Sequence, residues 1–394
     1  MALNVILNIE SVRFPLTGIG RYTHELAKSL QAVEDIESLR FFASGRFVPE
    51  LAYSESESQP ESDAVPAAAQ SRSLGLRRLV QKSPLALEVY RQLATLLRSS
   101  GLKGEESCIY HGPNFFLPRF GGPSVATFHD LSPFTWSHCH EPAKVRYMQK
   151  ELRLTLDRAD RLITDSEFTR HELAAFSGLS LDRIDAVSLA CGAEFHPRSE
   201  TELQPFLARH DLNYQGYTLF VGTIEPRKNI LALLQAYESL PLTLRRRWPL
   251  VLAGYEGWAS DDIHARMQQA EKAGWARYLG FLRAEDLPSL YSGARLFAFP
   301  SHYEGFGLPV LEAMSSGVPV VCSNSSSLPE VVGEAALMCD AEDVDTLTAH
   351  LITGLEDADW RGAAVQLGLE RAAGFSWQRC AEETTNVYRK LLAL

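Results

Sequence analysis

SHYEGFGLPVLEAMSSGVPVV, residues Ser301–Val321, is the stretch that decides how this chain folds. It follows the apolar run ARLFAFP, which reads as a buried strand, and passes through a glycine-containing loop into a helix starting near Leu308. Such a loop brings unpaired backbone N–H groups and the positive end of a helix dipole to one point, which makes an anion site. Gly305 and Gly307 let a phosphate approach the main chain closely. Glu304 in the loop and Glu312 in the first turns of the helix are eight positions apart. Both can point into the crevice at the carboxyl edge of a sheet, where open α/β folds take their ligands. One can accept ribose hydroxyls; the other can orient a sugar or support positive charge at its anomeric carbon. Spacing alone equally allows a helix cap at Glu304 and a surface charge at Glu312.

A second cluster stands upstream in FVGTIEPRKNI, Phe220–Ile230. Here a strand ends at Val221, Gly222 turns the chain, and Arg227 and Lys228 precede a helix starting at Asn229. Two cations at a strand's carboxyl end suit a diphosphate, offsetting the charge of a leaving group through charge-assisted hydrogen bonds. On their own they would read as exposed cations before a helix; beside an anion loop in the same domain they read as a site.

Working outward, strands and helices alternate through both halves. Val5–Ile9 reads as a strand, with a helix from about Tyr22 to Leu30. Thr218–Val221 is a strand and Asn229–Leu240 a helix. Pro249–Ala253, Ala276–Leu279 and Arg295–Phe299 are further strands. The alternation implies parallel sheets covered on both faces. At 394 residues the chain suits two domains rather than one core. CGAEFHP, Cys191–Pro197, reads as the linker, giving domains over 1–197 and 198–376 and a last helix over 377–394.

SESESQPESDAVPAAAQSRS, Ser54–Ser73, is polar and proline-containing, and reads as part of a mobile insert over about 51–83. A candidate helix follows from about Leu85 to Leu102, and Arg72, Arg77, Arg78, Lys82, Arg91, Arg98 and Lys103 fall around it. This basic, amphipathic patch suits either an anionic lipid surface or an ordinary solvated face.

Hydrophobic residues at 45% and charged residues at 22% are the balance of a folded protein. A net charge of −11 argues against a nucleic-acid partner. The six cysteines form no C-x-x-C pair and no zinc framework, which fits reduced thiols. MALNVILNIE lacks the basic and long apolar regions of a signal peptide, and no apolar run is long enough to span a bilayer. The expected location is cytoplasmic, at most peripheral at the inner face of a membrane.

With these motifs the chain resembles the retaining glycosyltransferases of family four over nearly its whole length. The resemblance rests on the E-x7-E pattern in EGFGLPVLE, the P-R-K-N segment, the glycine-rich TGIGRY (Thr17–Tyr22), the histidine of ATFHDLSPF, and F-S-W at Phe375–Trp377. It implies an α/β GT-B fold: two facing Rossmann-like domains with the nucleotide-sugar site in the interdomain cleft. The last helix would cross back onto the first domain. Lys228 and Arg227 would bind the donor diphosphate, joined by main-chain amides at Phe306, Gly307 and Leu308. Glu312 would hold the ribose, and Glu304 would contact the transferred sugar. Gly18 and Gly20 would give the tight turns of a loop closing over donor phosphate and acceptor, with Arg21 on the acceptor side. His129 would lie beside the donor sugar, with Asp130 orienting its ring or capping the next turn. Ser166 in TDSEFTR would face the cleft, or only cap a helix.

Two positions depart from the family pattern. Thr223 stands where arginine is frequent, so diphosphate contacts would be redistributed, and Cys191 stands where asparagine is frequent. The wording of ATFHDLSPF and VGTIEPRKNI most resembles bacterial enzymes of surface-polysaccharide assembly. It implies GDP-mannose or GDP-rhamnose as donor and an undecaprenyl-pyrophosphate-linked glycan as acceptor, as in O-antigen synthesis. No cofactor or metal is expected, because the cations and the helix dipole already offset the diphosphate and no D-x-D element is present. The competing readings are a UDP-sugar donor, an inverting relative, and a non-catalytic nucleotide-binding subunit of a glycan assembly complex.

Overall fold

The computed structural model describes residues 2–14, 16, 18–51 and 98–393. The insert over about 51–83, save Leu51, and most of the candidate helix beginning at Leu85 lie outside the described residues; Arg98 is described and donates to Glu10 at 2.6 Å.

Two sheets carry the molecule. The first comprises β1 (Leu3–Asn8), β2 (Ile36–Ala43), β3 (Arg46–Val48), β4 (Ile109–Gly112), β5 (Ser124–Phe128), β6 (Arg161–Thr164) and β7 (Ile184–Ala186), in the order β3-β2-β1-β4-β5-β6-β7. Its pairings β1–β2, β1–β4 and β4–β5 are parallel, and the short β3 closes one edge antiparallel to β2. The second comprises β8 (Thr218–Val221), β9 (Leu250–Ala253), β10 (Ala276–Tyr278), β11 (Leu296–Phe299), β12 (Val320–Ser323) and β13 (Ala336–Cys339), in the order β10-β9-β8-β11-β12-β13. All of its pairings are parallel. β8, β9, β11 and β12 are buried at every position, as strands covered on both faces must be.

This strand order decides where chemistry can sit. From β8 the chain proceeds outward to β9, and from β11 outward the other way to β12, so the order reverses between the paired neighbours β8 and β11. Loops leaving the carboxyl ends of two such strands diverge and open a crevice, the usual ligand position of doubly wound sheets. The two motifs singled out in the sequence are those two loops.

By contacts the chain divides into two compact units. One holds Met1–Thr127, Glu151–Ile163 and Ala381–Leu394; the other holds Phe128–Lys150 and Thr164–Cys380. In the first, Tyr388 of the final helix (Trp377–Leu392) is fully buried and its hydroxyl meets His111 Nδ1 at 2.6 Å. The six cysteines are all free thiols. Among the described residues no helix is long and apolar enough to cross a membrane.

One expectation needs correcting. Gly18 and Gly20 make no tight turns: the first helix begins at Gly18 and runs to Leu30, four residues earlier than its apolar pattern suggested. Neither glycine has positive φ. Arg21 accordingly lies on that helix, half-buried.

Candidate active site

The site is built from the β8 and β11 loops. After Phe299 the chain leaves β11 and enters Ser301–Gly307, and its backbone carbonyls are then taken up one by one. Tyr303 O accepts from Arg227 at 2.7 Å. Glu304 O and Phe306 O accept from the Ser327 hydroxyl at 2.9 and 2.7 Å. Gly305 O accepts from Ser166 at 2.7 Å and Thr169 at 3.1 Å. The N–H groups of Phe306, Gly307 and Leu308 donate to nothing among the described residues. A loop pinned by its carbonyls, with successive amides left over at the start of the Leu308–Ser315 helix, is polarised for an anion.

The two glycines are required for different reasons. A Cβ on Gly305 would stand 1.8 Å from the carbonyl oxygen of His129, so only glycine lets these chains meet. Gly307 has φ +109°, a region that side chains disfavour, and ends the loop where the helix begins.

From β8, Thr223 is half-buried and Pro226–Lys228 form one 3-10 turn that ends on Asn229 at φ +55°. Asn229 holds this unusual backbone by donating to Pro300 O at 3.1 Å and Ala341 O at 2.7 Å. The turn aims both cations at the other loop. Lys228 Nζ donates to Glu304 Oε1 at 2.6 Å. Arg227 reaches Glu304 Oε2 at 3.4 Å and Glu225 Oε1 at 2.6 Å. His302 N donates to Arg227 O at 2.9 Å, and Lys228 also lies 5.2 Å above the Phe299 ring centroid.

Charge balance follows from this geometry. Burial pushes the Glu304 carboxyl up, but Lys228 and Arg227 outweigh it and hold the group below its ordinary value, so it is ionised. Burial and the neighbouring Arg227 bring the Lys228 ammonium down, against the opposing pull of Glu304 and Glu225. Arg227 keeps its charge: burial works against it, while Glu304, Glu225 and Asp130 raise it further. The Arg227 Nε is buried without an acceptor among the described residues. The cluster thus holds donors in excess of what its own carboxylates use.

Glu312 occupies the second turn of the Leu308–Ser315 helix, half-buried. Burial raises the Cys191 thiol to about 11, its hydrogen bond with Ser315 opposes this, and the Glu312 charge adds to it.

His129 is buried, and its Nδ1 lies 2.8 Å from Asp165 Oδ2. Asp130 does not orient that ring; it accepts from Ser132 N at 2.9 Å, where the short turn Ser132–Thr135 begins. Ser166 spends its hydroxyl on Gly305 O and accepts from Thr169 N, capping the Glu167–Ser177 helix. Tyr303 donates to Glu172 and accepts from Leu131 N at 2.8 Å, which fixes the residues after His129 against those before Glu304. Phe375 of the F-S-W segment packs edge-on against Phe306, with centroids 5.8 Å apart.

Two family models match: the Glycosyltransferase Family 4 model over residues 16–190 and the Glycosyl transferases group 1 model over residues 209–368. The O-antigen chain mannosyltransferase B of Escherichia coli is 45% identical over 389 residues, 99% of this chain and 100% of that protein. The chain belongs to glycosyltransferase family four. Among solved structures, the sucrose-phosphate synthase of Thermosynechococcus elongatus aligns over 99% of both chains with a TM-score of 0.69 at 19% identity. WaaG, a glycosyltransferase involved in lipopolysaccharide biosynthesis, aligns over 97% of this chain and 99% of its own with a TM-score of 0.64 at 13% identity. These agree with the GT-B fold of two parallel Rossmann-like domains.

For this glycosyltransferase, four residues of the site were not singled out by sequence reasoning: Glu225, Asn229, Asp165 and Tyr303. All four lie inside motifs already quoted, so a signal existed. What was missing is the partner of each. Asp165 meets a histidine 36 positions away, and Tyr303 a glutamate 131 positions away.

Proposed function

We propose that this enzyme transfers a mannosyl unit from GDP-mannose, with retention at the anomeric carbon, to a lipid-linked glycan in O-antigen synthesis. The observation that carries the reading is that Arg227 and Lys228 pair with Glu304 on the loop whose next amides, at Phe306, Gly307 and Leu308, donate to nothing among the described residues. That combination fits a doubly charged diphosphate better than any neutral ligand. The mannosyl and O-antigen assignments draw on the full-length relative named for both.

In this mechanism the bond from the anomeric carbon to the diphosphate oxygen breaks, and its electron pair leaves with the nucleotide. Arg227, Lys228 and the loop amides take up the charge as it develops. Lys228 exchanges its bond to Glu304 for one to the phosphate. Glu304, released by Lys228 and still facing Arg227, serves to hold the sugar. The acceptor hydroxyl enters on the face the diphosphate vacates, and its proton passes to the departing phosphate oxygen. Glu312 takes the ribose, and His129 stands on the sugar side.

The acceptor is an undecaprenyl-pyrophosphate-linked glycan, which brings the enzyme to the inner face of an anionic membrane. The test is a panel of GDP-, UDP- and ADP-sugars with product anomer analysis. The expected result is preference for GDP-mannose and an α-linked product. A clear preference for a UDP-sugar, or inversion, contradicts the reading.

A further inference from the structure

We propose that Asp165, through its bond to His129, is a positioning residue that fixes which nitrogen of that ring carries its proton. The inference rests on the donor-side role of His129 in the reaction above.

Asp165 is 3% exposed, and its hydrogen-bond partner among the described residues is the His129 ring at 2.8 Å. Its other oxygen, Oδ1, is buried with no hydrogen-bond partner among the described residues. Burying a carboxylate with half of its acceptor capacity unused is costly unless the remaining bond is strong. Nothing about the fold demands a carboxylate here: the neighbouring Ser166 caps the Glu167–Ser177 helix, and Val187 N bonds to Thr164 O. Asp165 is thus a buried acid kept in place for the imidazole.

A carboxylate accepts only, so His129 Nδ1 must carry hydrogen. The neutral ring then has Nε2 as its accepting nitrogen, the one that would accept a hydrogen bond from a hydroxyl of the transferred sugar. The opposite tautomer would place two lone pairs face to face. The His129 carbonyl is already locked against Gly305, so backbone and ring are both held, the one by close packing and the other by Asp165. Carboxylate–imidazole pairs act in this way wherever a histidine must keep one tautomer.

Two measurements test this. The first is a double-mutant cycle on kcat and donor KM with Asp165→Asn, His129→Ala and the pair. Loss of kcat in Asp165→Asn of about 10- to 100-fold is expected, with donor KM changed less than about threefold. In the His129→Ala background the same substitution should cost less than about twofold, because its target is gone. Additive losses would overturn the proposal and leave the transferase reading intact. Full activity in His129→Ala would sink the role of His129 itself. The second reads the tautomer in the unaltered protein: nitrogen-15 NMR of labelled histidines, in which the His129 resonance is the one missing from the spectrum of a folded His129→Gln variant. A proton on Nδ1 supports the proposal, and a neutral ring protonated on Nε2 refutes it.

Discussion

Lys228 and Glu304 are the pair on which function turns, and each leads to a different measurement. Lys228→Ala removes a cation from the developing diphosphate charge, so kcat/KM should fall about 10²- to 10³-fold. Steady-state kinetics check this, with a melting curve to confirm that the fold survives. Glu304→Gln leaves Lys228 buried beside Arg227 with one carboxylate fewer, and should cost about 3 kcal/mol of stability at neutral pH. The pH dependence has a defined sign. Because the folded Glu304 titrates below its ordinary value of 4.5, its stabilisation is fully present above pH 4.5. It is lost as pH falls through the lower folded value. Denaturant titrations from pH 7 to pH 3 should show the gap between wild type and Glu304→Gln close only below about 4.5. A gap that closes between pH 7 and 5 would contradict the pairing. These two residues were legible because each belongs to a short contiguous motif. The Asp165–His129 contact was not, since nothing in either local pattern names its partner.

At the scale of elements, the account depends on two loops that leave neighbouring strands. Their strands were readable from apolar runs with turn residues at their ends, and β8 begins and ends where the pattern placed it. The first helix was misjudged because T-G-I-G carries turn residues that look like a loop, yet Gly18 already has helical backbone; tertiary packing overrides so weak a propensity. Loop shape gives a sharp test. Gly305→Ala would drive a methyl into the His129 carbonyl, and Gly307→Ala would place a side chain at φ +109°. The first should abolish measurable transfer by displacing Glu304 from Lys228. The second should cost about 1–2 kcal/mol from strain alone, with the clash against Leu328 adding to it. Thermal unfolding and initial rates on both variants read this directly, and an unaffected Gly305→Ala enzyme would contradict the packing.

For the whole molecule, parallel sheets covered on both faces were foreseeable from strand–helix alternation, whereas the strand order with its reversal, and the antiparallel β3 at one edge, were not, because strand neighbours are chosen by long-range packing. Activity should be unchanged within error by a chelator, since Arg227, Lys228 and the loop amides supply the positive charge; loss of transfer in chelator, restored by a divalent cation, would show that a metal shares the task. The central claim is that a diphosphate is held between Lys228 and the first turn of the Leu308 helix. The most direct measurement is a crystal structure of the enzyme with GDP. The account predicts phosphate oxygens within hydrogen-bond reach of Lys228 Nζ and of the Phe306–Leu308 amides, with Lys228 drawn away from Glu304. A nucleotide bound elsewhere, with the Lys228–Glu304 pair still closed, would contradict it.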